Sequence, residues 1–241
     1  MTETASFTGL LHPSIPAREV EPGILTVLPL GSANSYDDHG ALAFYDAVAC
    51  NPIYNRLMWG YRTAGLDRFC EILLSGGEGW FLDAGCGSLA FTAGAYARCS
   101  RPVVLADQSL TLLRKARQRL LAEGMTGENI VLLQADVMAL PFRDEAFGTV
   151  MSMNMLHVLP EPEGMLAEVR RVLGPSGQAG FTTLHLSGRW SDRYLRMWER
   201  KGEVVCRTSE EVLAILAGAG MDAVLRAEGN MGFFQRRQGA E

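Results

Sequence analysis

Short apolar runs alternate with longer amphipathic stretches through the middle of this chain. The runs cover residues 80–84, 102–107, 129–135, 146–153 and 178–184, each of strand length. A helix over about residues 109–123 places Leu113, Ala116 and Leu120 on one face, with Arg114, Lys115, Arg117 and Arg119 around the rest. A second helix, 163–173, stops at Gly174-Pro175-Ser176-Gly177. This strand-helix order from residue 79 to 184 predicts a parallel sheet with helices on both faces. Further on, Thr208-Ser209-Glu210-Glu211 is a capping box opening a helix over 210–217. Residues 221–227 and 232–236, joined at Gly229-Asn230, predict a terminal hairpin. Before the alternating region, residues 36–75 read as helical in two or three pieces, broken near Asn51-Pro52. Residues 1–35, with Pro13, Pro16, Pro22 and Pro29, read as an extended arm.

Three of the apolar runs carry an acid at or next to their end. The segment Trp80-Phe81-Leu82-Asp83-Ala84-Gly85-Cys86-Gly87-Ser88 is a strand that reaches Asp83 and turns through two glycines into a helix. Glycines at both bends let backbone approach a ligand closely, because no Cβ stands in the way. Gly85 to Ala90 also satisfies the G-x-G-x-x-(G/A) pattern of dinucleotide sites, and Asp107 follows Gly85 by 22 residues, near the spacing of a ribose-binding acid. The glycine pattern by itself does not separate a dinucleotide from another nucleoside ligand. Asp83 does bear on the choice: a carboxylate beside the turn repels a pyrophosphate and suits a cation. Asp107 ends the second run, where it could take both ribose hydroxyls or cap the following helix. Asp136 closes the third, 29 residues further on.

Together these features resemble class I S-adenosylmethionine-dependent methyltransferases, in the small-molecule branch typified by ubiquinone and menaquinone biosynthesis (methyltransferase type 11). The turn is similar to the family's (D/E)-x-G-x-G motif, and Ala135-Asp136-Val137-Met138-Ala139-Leu140-Pro141-Phe142 to its A-D-x-x-x-L-P-F wording. Residues 146–159 look like the fourth strand and its turn, with Gly148 where an Asp is common. The resemblance runs from about residue 36 to the C-terminus. It implies a single α/β Rossmann-like domain over 36–241, with a seven-stranded, mostly parallel sheet in the order 3-2-1-4-5-7-6 and an antiparallel terminal hairpin. It also implies S-adenosylmethionine as cofactor, held by Asp83, Gly85, Cys86, Gly87, Asp107, Gln108, Asp136, Val137, Asn154 and Met155.

Composition sets limits on partners. A net charge of −5 over 241 residues gives no global pull toward nucleic acid or an anionic membrane, so neither is expected as a partner. Five scattered cysteines without a C-x-x-C suit reduced thiols in the cytoplasm and no metal site. No segment resembles a leader or a membrane span. Nothing in the chain speaks to oligomeric state.

Two segments outside the core are candidates for the acceptor site. Residues 44–61 resemble the family's F-Y-D-x-x-A-x-x-Y cap over the cofactor, in the stretch 36–75, which makes Tyr45 and Tyr54 candidate catalytic residues. Packing of the cap onto the sheet would use the same aromatics. Residues 187–206 read as a lid, with Trp190, Tyr194, Met197 and Trp198 on one helical face and Arg189, Arg193, Arg196 and Arg200 beside them. Trp190, Tyr194 and Trp198 are the candidate substrate contacts. His157, past the fourth strand, is the candidate base. The expected activity is methyl transfer to a small molecule. The alternatives are a cofactor-binding partner or sensor without activity, and an NAD(P)-dependent oxidoreductase.

Overall fold

The computed structural model describes residues 6–29, 50–125 and 129–237. Within them lies one nine-stranded sheet in the order β1-β2-β5-β4-β3-β6-β7-β9-β8. Its strands are β1 (Arg18–Glu21), β2 (Ile24–Thr26), β3 (Phe81–Ala84), β4 (Val103–Asp107), β5 (Ile130–Gln134), β6 (Phe147–Met153), β7 (Leu173–Leu184), β8 (Ala223–Glu228) and β9 (Met231–Arg236). The strands β5-β4-β3-β6-β7-β9-β8 reproduce the expected 3-2-1-4-5-7-6 order. They are parallel except where β9 runs antiparallel to both β7 and β8.

The expectation of seven strands is corrected to nine. Within the stretch read as an extended arm, Arg18–Glu21 and Ile24–Thr26 form a hairpin, and β2 continues the sheet parallel to β5. Fully buried Ile24 anchors it, and Arg114 pairs with Glu21 while Arg117 donates to the Pro22 carbonyl. The basic face of the Leu110–Ala122 helix thus serves as a seat for the hairpin.

Alternation along the strands makes two cores. Leu82 and Ala84 face one side with Val104, Ala106 and Phe181, covered by the helices Glu163–Val172 and Ser209–Gly218. Phe81 faces the other with Val103 and Leu105, beneath the helices Ala64–Ser75, Ala93–Ala97 and Leu110–Ala122. Burial of this apolar surface is the main driving force for the fold. Capping follows the sequence: Thr208 and Glu211 form the reciprocal box, and Ser109, not Asp107, caps the helix after β4. Gly148 is explained by crowding. A Cβ there would stand 1.9 Å from the Glu78 carbonyl oxygen, which Arg101 also engages. An Asp at that position would push the two backbones apart.

Candidate active site at the carboxyl edge of the sheet

Parallel strands put their carboxyl ends on one edge, and an open sheet binds ligands there. The sequence-predicted acids collect at that edge. Asp83 lies in β3, Asp107 ends β4, and Asp136 follows β5 by two residues. The glycine turn is tied to β4 by backbone bonds from Gly85 and Cys86 to the Ala106 carbonyl, at 2.8 and 3.0 Å. Gly87 donates its N–H to Asp107 Oδ2 at 2.8 Å, and Ser109 donates to Asp107 Oδ1 at 2.9 Å. Asp107 is therefore fixed from both sides. Gly85 and Gly87 both have positive φ, at 81° and 57°. Nothing lies within 4 Å of where a Gly87 Cβ would be, so the turn leaves open space above it, whereas Gly85 is covered by the Met155 side chain.

Asp83 is almost fully buried. Tyr96 donates its hydroxyl to Asp83 Oδ2 at 2.7 Å, while Oδ1 is buried with no hydrogen-bond partner. Burial pushes the carboxyl up to about 7, the Tyr96 bond opposes that, and the charge of Asp107 adds to it. An orphaned carboxylate oxygen is costly unless something pairs with it. It fits a cationic group such as the ammonium of S-adenosylmethionine, so the residues present suit that cofactor. Asp136 holds a tight turn, its Oδ1 accepting from the Met138 N–H at 2.9 Å, with Val137 buried beside it. Gln108 is exposed, and its carbonyl accepts from Gln134 at 3.1 Å. Asn154 takes a left-handed φ of 59° at the end of β6, a conformation Asn tolerates better than most residues. Its N–H reaches the Thr182 carbonyl at 2.7 Å.

His157 is brought to the edge but not in the form expected of a base. The Leu184 N–H points at its Nδ1 (3.4 Å), which also contacts Thr183 Oγ1 at 3.0 Å. With Nδ1 accepting, the proton of the neutral ring sits on Nε2. Burial, aided by the nearby charge of Arg207, pushes its pKa down to about 4. Arg207 also clamps the turn, donating to the carbonyls of Leu156, Leu159 and Pro160.

The cap and lid meet through aromatic side chains. Tyr54 and Trp59 pack edge to face at 6.4 Å, Trp59 meets Tyr194 at 5.8 Å, and Tyr194 meets Trp198 at 5.8 Å. Tyr54 also hydrogen-bonds Tyr194, and burial raises its phenol well above the ordinary value. Trp190 is 62% exposed and lines an outer groove with Tyr54 rather than joining this stack. Tyr45 lies outside the described residues.

Three residues that matter here were not singled out from sequence. Tyr96 holds Asp83, and Arg119 braces the glycine turn through the Ser88 carbonyl at 2.7 Å. Asn230 is the third. Fully buried in the β8–β9 turn, it donates to the His185 carbonyl (2.9 Å) and Asp192 (2.6 Å) and accepts from Ser191 (2.6 Å). Its backbone N–H binds the Trp59 carbonyl at 2.8 Å, so this one residue ties the cap, through its backbone, to the lid and the segment after β7, through its side chain. Among the described residues no three His, Cys, Asp or Glu side chains are grouped to hold a metal, and no helix is long and apolar enough to cross a membrane.

This fold, with a glycine turn between strand-end acids, is the Rossmann-like fold seen in class I S-adenosylmethionine-dependent methyltransferases, and residues 82–181 match the family model described as a methyltransferase domain. The chain is 32% identical over 132 residues to the uncharacterized methyltransferase YodH of Bacillus subtilis, covering 45% of this chain and 54% of that one. It is 39% identical over 79 residues to the ubiquinone/menaquinone biosynthesis C-methyltransferase UbiE of Hahella chejuensis, covering 33% of this chain and 31% of UbiE. The chain thus spans about half the length of these relatives or less. A S-adenosylmethionine-dependent methyltransferase structure from Aquifex aeolicus superposes with a TM-score of 0.59 over 79% of this chain and 95% of the other, at 19% identity, which is a likeness of fold.

Proposed function

We propose that this protein transfers the methyl group of S-adenosylmethionine to a small-molecule acceptor that binds between the cap and the lid. The observation that carries this reading is an open glycine turn with Asp107 bound to it and one buried Asp83 oxygen left without a hydrogen bond, with Asp136 just past the neighbouring strand β5. S-adenosylmethionine, when bound, supplies a methyl carbon on a sulfonium, already a good leaving group. Asp83 takes the ammonium, Asp107 the ribose hydroxyls, and Asp136 the adenine amino group, with the backbone of Val137 beside it. Gly85, Cys86, Gly87, Gln108, Asn154 and Met155 shape the walls.

Tyr54 stays a neutral phenol over the whole physiological range, and its oxygen can face positive charge or orient a nucleophile. Tyr194 and Trp198 back the acceptor pocket, and Trp190 stands at its outer rim. His157 acts as a donor from Nε2 or as an anchor of the turn, because its lone pair is already used on Nδ1. Rate enhancement then rests on alignment and exclusion of water more than on a histidine base. Cys70, Cys86, Cys99 and Cys206 are free thiols, which suits a reducing compartment such as the cytoplasm.

The test is an acceptor screen spanning phenols, quinols, amines and thiols, read by S-adenosylhomocysteine production. Product above the acceptor-free background supports the reading. Tight S-adenosylhomocysteine binding with no product from any class would move it to a cofactor-binding partner or sensor.

A further inference from the structure

We propose that the outer face of the cap and lid is a docking surface for an anionic lipid bilayer. Seven large apolar side chains are exposed among the described residues, and three of them share one groove: Ile53 (71% exposed), Leu57 (70%) and Trp190 (62%). The groove has a volume of about 610 Å³, and Tyr54 and Met58 complete its apolar lining. Single exposed apolar residues are ordinary, but a cluster of two aliphatic chains and a tryptophan marks an interaction surface.

The charge around the groove is the second observation. Residues 50–62 and 187–203 hold seven basic side chains against three acidic ones, on a chain whose net charge is −5. Arg56 falls between Ile53 and Leu57, and Arg189, beside Trp190, packs over Gly60. Arg193 and Arg196 are exposed on the following helix. Two of the three acids are engaged internally: Asp192 accepts from Ser187, Gly188 and Asn230, and Glu199 accepts from the Cys206 N–H. The net charge argued against a membrane partner, but its distribution puts a positive excess on the face where Ile53, Leu57 and Trp190 cluster.

Aliphatic chains with a tryptophan, rimmed by arginines, fit an interface between anionic headgroups and acyl chains. Long arginine stems can lie along such a surface with the guanidinium at headgroup level. A second copy of this chain fits poorly, since a twofold contact would set this positive face against itself. The mode is docking, because no described helix is long and apolar enough to span. A consequence, resting on the function proposed above, is that the acceptor reaches the Tyr54–Tyr194 contact from the lipid phase.

The experiment is co-sedimentation of the full chain with large vesicles of phosphatidylcholine, alone or mixed with phosphatidylglycerol, with tryptophan emission read in parallel. The protein should partition onto the mixed vesicles, be released by salt, and show a blue shift that Trp190→Phe removes. Ile53→Ser combined with Leu57→Ser should weaken partitioning on the order of tenfold or more, with an unchanged circular dichroism spectrum. Equal binding to both vesicles, no binding, wild-type binding by the double variant, or a dimer closing over this face would overturn the proposal. Titration of the same preparation with S-adenosylhomocysteine separates the two readings. Its binding without vesicle binding rejects the docking surface alone, and vesicle binding without it rejects the cofactor assignment alone.

Discussion

The two halves of the ligand edge are built by different means. On the cofactor side, backbone sets most of the geometry: the turn hangs from Ala106, and the Gly87 and Ser109 N–H groups hold Asp107, with the Tyr96 hydroxyl added on Asp83. On the side proposed for the acceptor, side chains set it, through the aromatic contacts between cap and lid and the bonds of Asn230 to Ser191 and Asp192. Backbone-held sites hang on strand ends, which topology fixes. Side-chain-held sites depend on loops and can be altered without disturbing the sheet. The difference teaches where specificity lies: one half serves a ligand common to the fold, and the other is free to vary.

Substitutions on one side should therefore spare the other. The largest expected effect is on the cofactor side. Asp107→Ala should weaken S-adenosylhomocysteine binding by about a hundredfold in calorimetry, since the charge-assisted bonds proposed to both ribose hydroxyls would be lost. Exchange protection of the cap and lid should not change. A comparable loss of protection there would break the division.

Next comes Asn230→Ala, which leaves the Ser191 hydroxyl and one Asp192 oxygen short of partners in a buried site. A cost of about 2–4 kcal/mol is expected in denaturant unfolding. Hydrogen exchange should rise at residues 187–206, with S-adenosylhomocysteine affinity held within about twofold. Asn230→Asp keeps the acceptor oxygen but adds repulsion against Asp192, so it should not rescue the loss.

A third effect is set by pH. The folded-state pKa of Asp83, about 7, lies above the ordinary carboxylate value of 3.8, so the native state holds this proton more tightly than the unfolded chain. Its contribution to stability is full in acid, falls as pH rises from about 4 to 7, and is flat beyond. A bound ammonium favours the ionised carboxyl, so affinity for S-adenosylhomocysteine should climb through the same upper range, with proton release near pH 6. Asp83→Asn should flatten that climb, lower the affinity, and raise thermal stability at pH 8. His157 has the opposite sign: its pKa near 4, below the ordinary 6.5, makes it cost stability only as pH falls between those values.

The smallest expected effect is that of Tyr194→Phe. Removing the hydroxyl deletes its bond to Tyr54, worth about 1 kcal/mol, and leaves the ring packing in place. The acceptor KM should rise severalfold with cofactor affinity unchanged, and an equal change in both would contradict the separation.

The same division decided what could be read from sequence. The seven core strands, the glycine turn and the Thr208 capping box are local patterns, and each was legible. The β1–β2 hairpin was not, although Pro22-Gly23 marks its turn. Its strands are four and three residues long, and β2 pairs with a strand about a hundred residues away. Asn230 read only as half of a turn, because its side-chain partners lie 38 to 45 residues distant. Tyr96 carries no motif to link it with Asp83. The position of His157 was legible, but its tautomer depends on the Leu184 N–H of a neighbouring strand.

The most direct test of the central claim is parallel calorimetric titration of the purified protein with S-adenosylhomocysteine and NADH. The account predicts saturable binding of the first at micromolar strength and none of the second. NADH binding with silence from S-adenosylhomocysteine would contradict the role given to Asp83 and bring an oxidoreductase to the front.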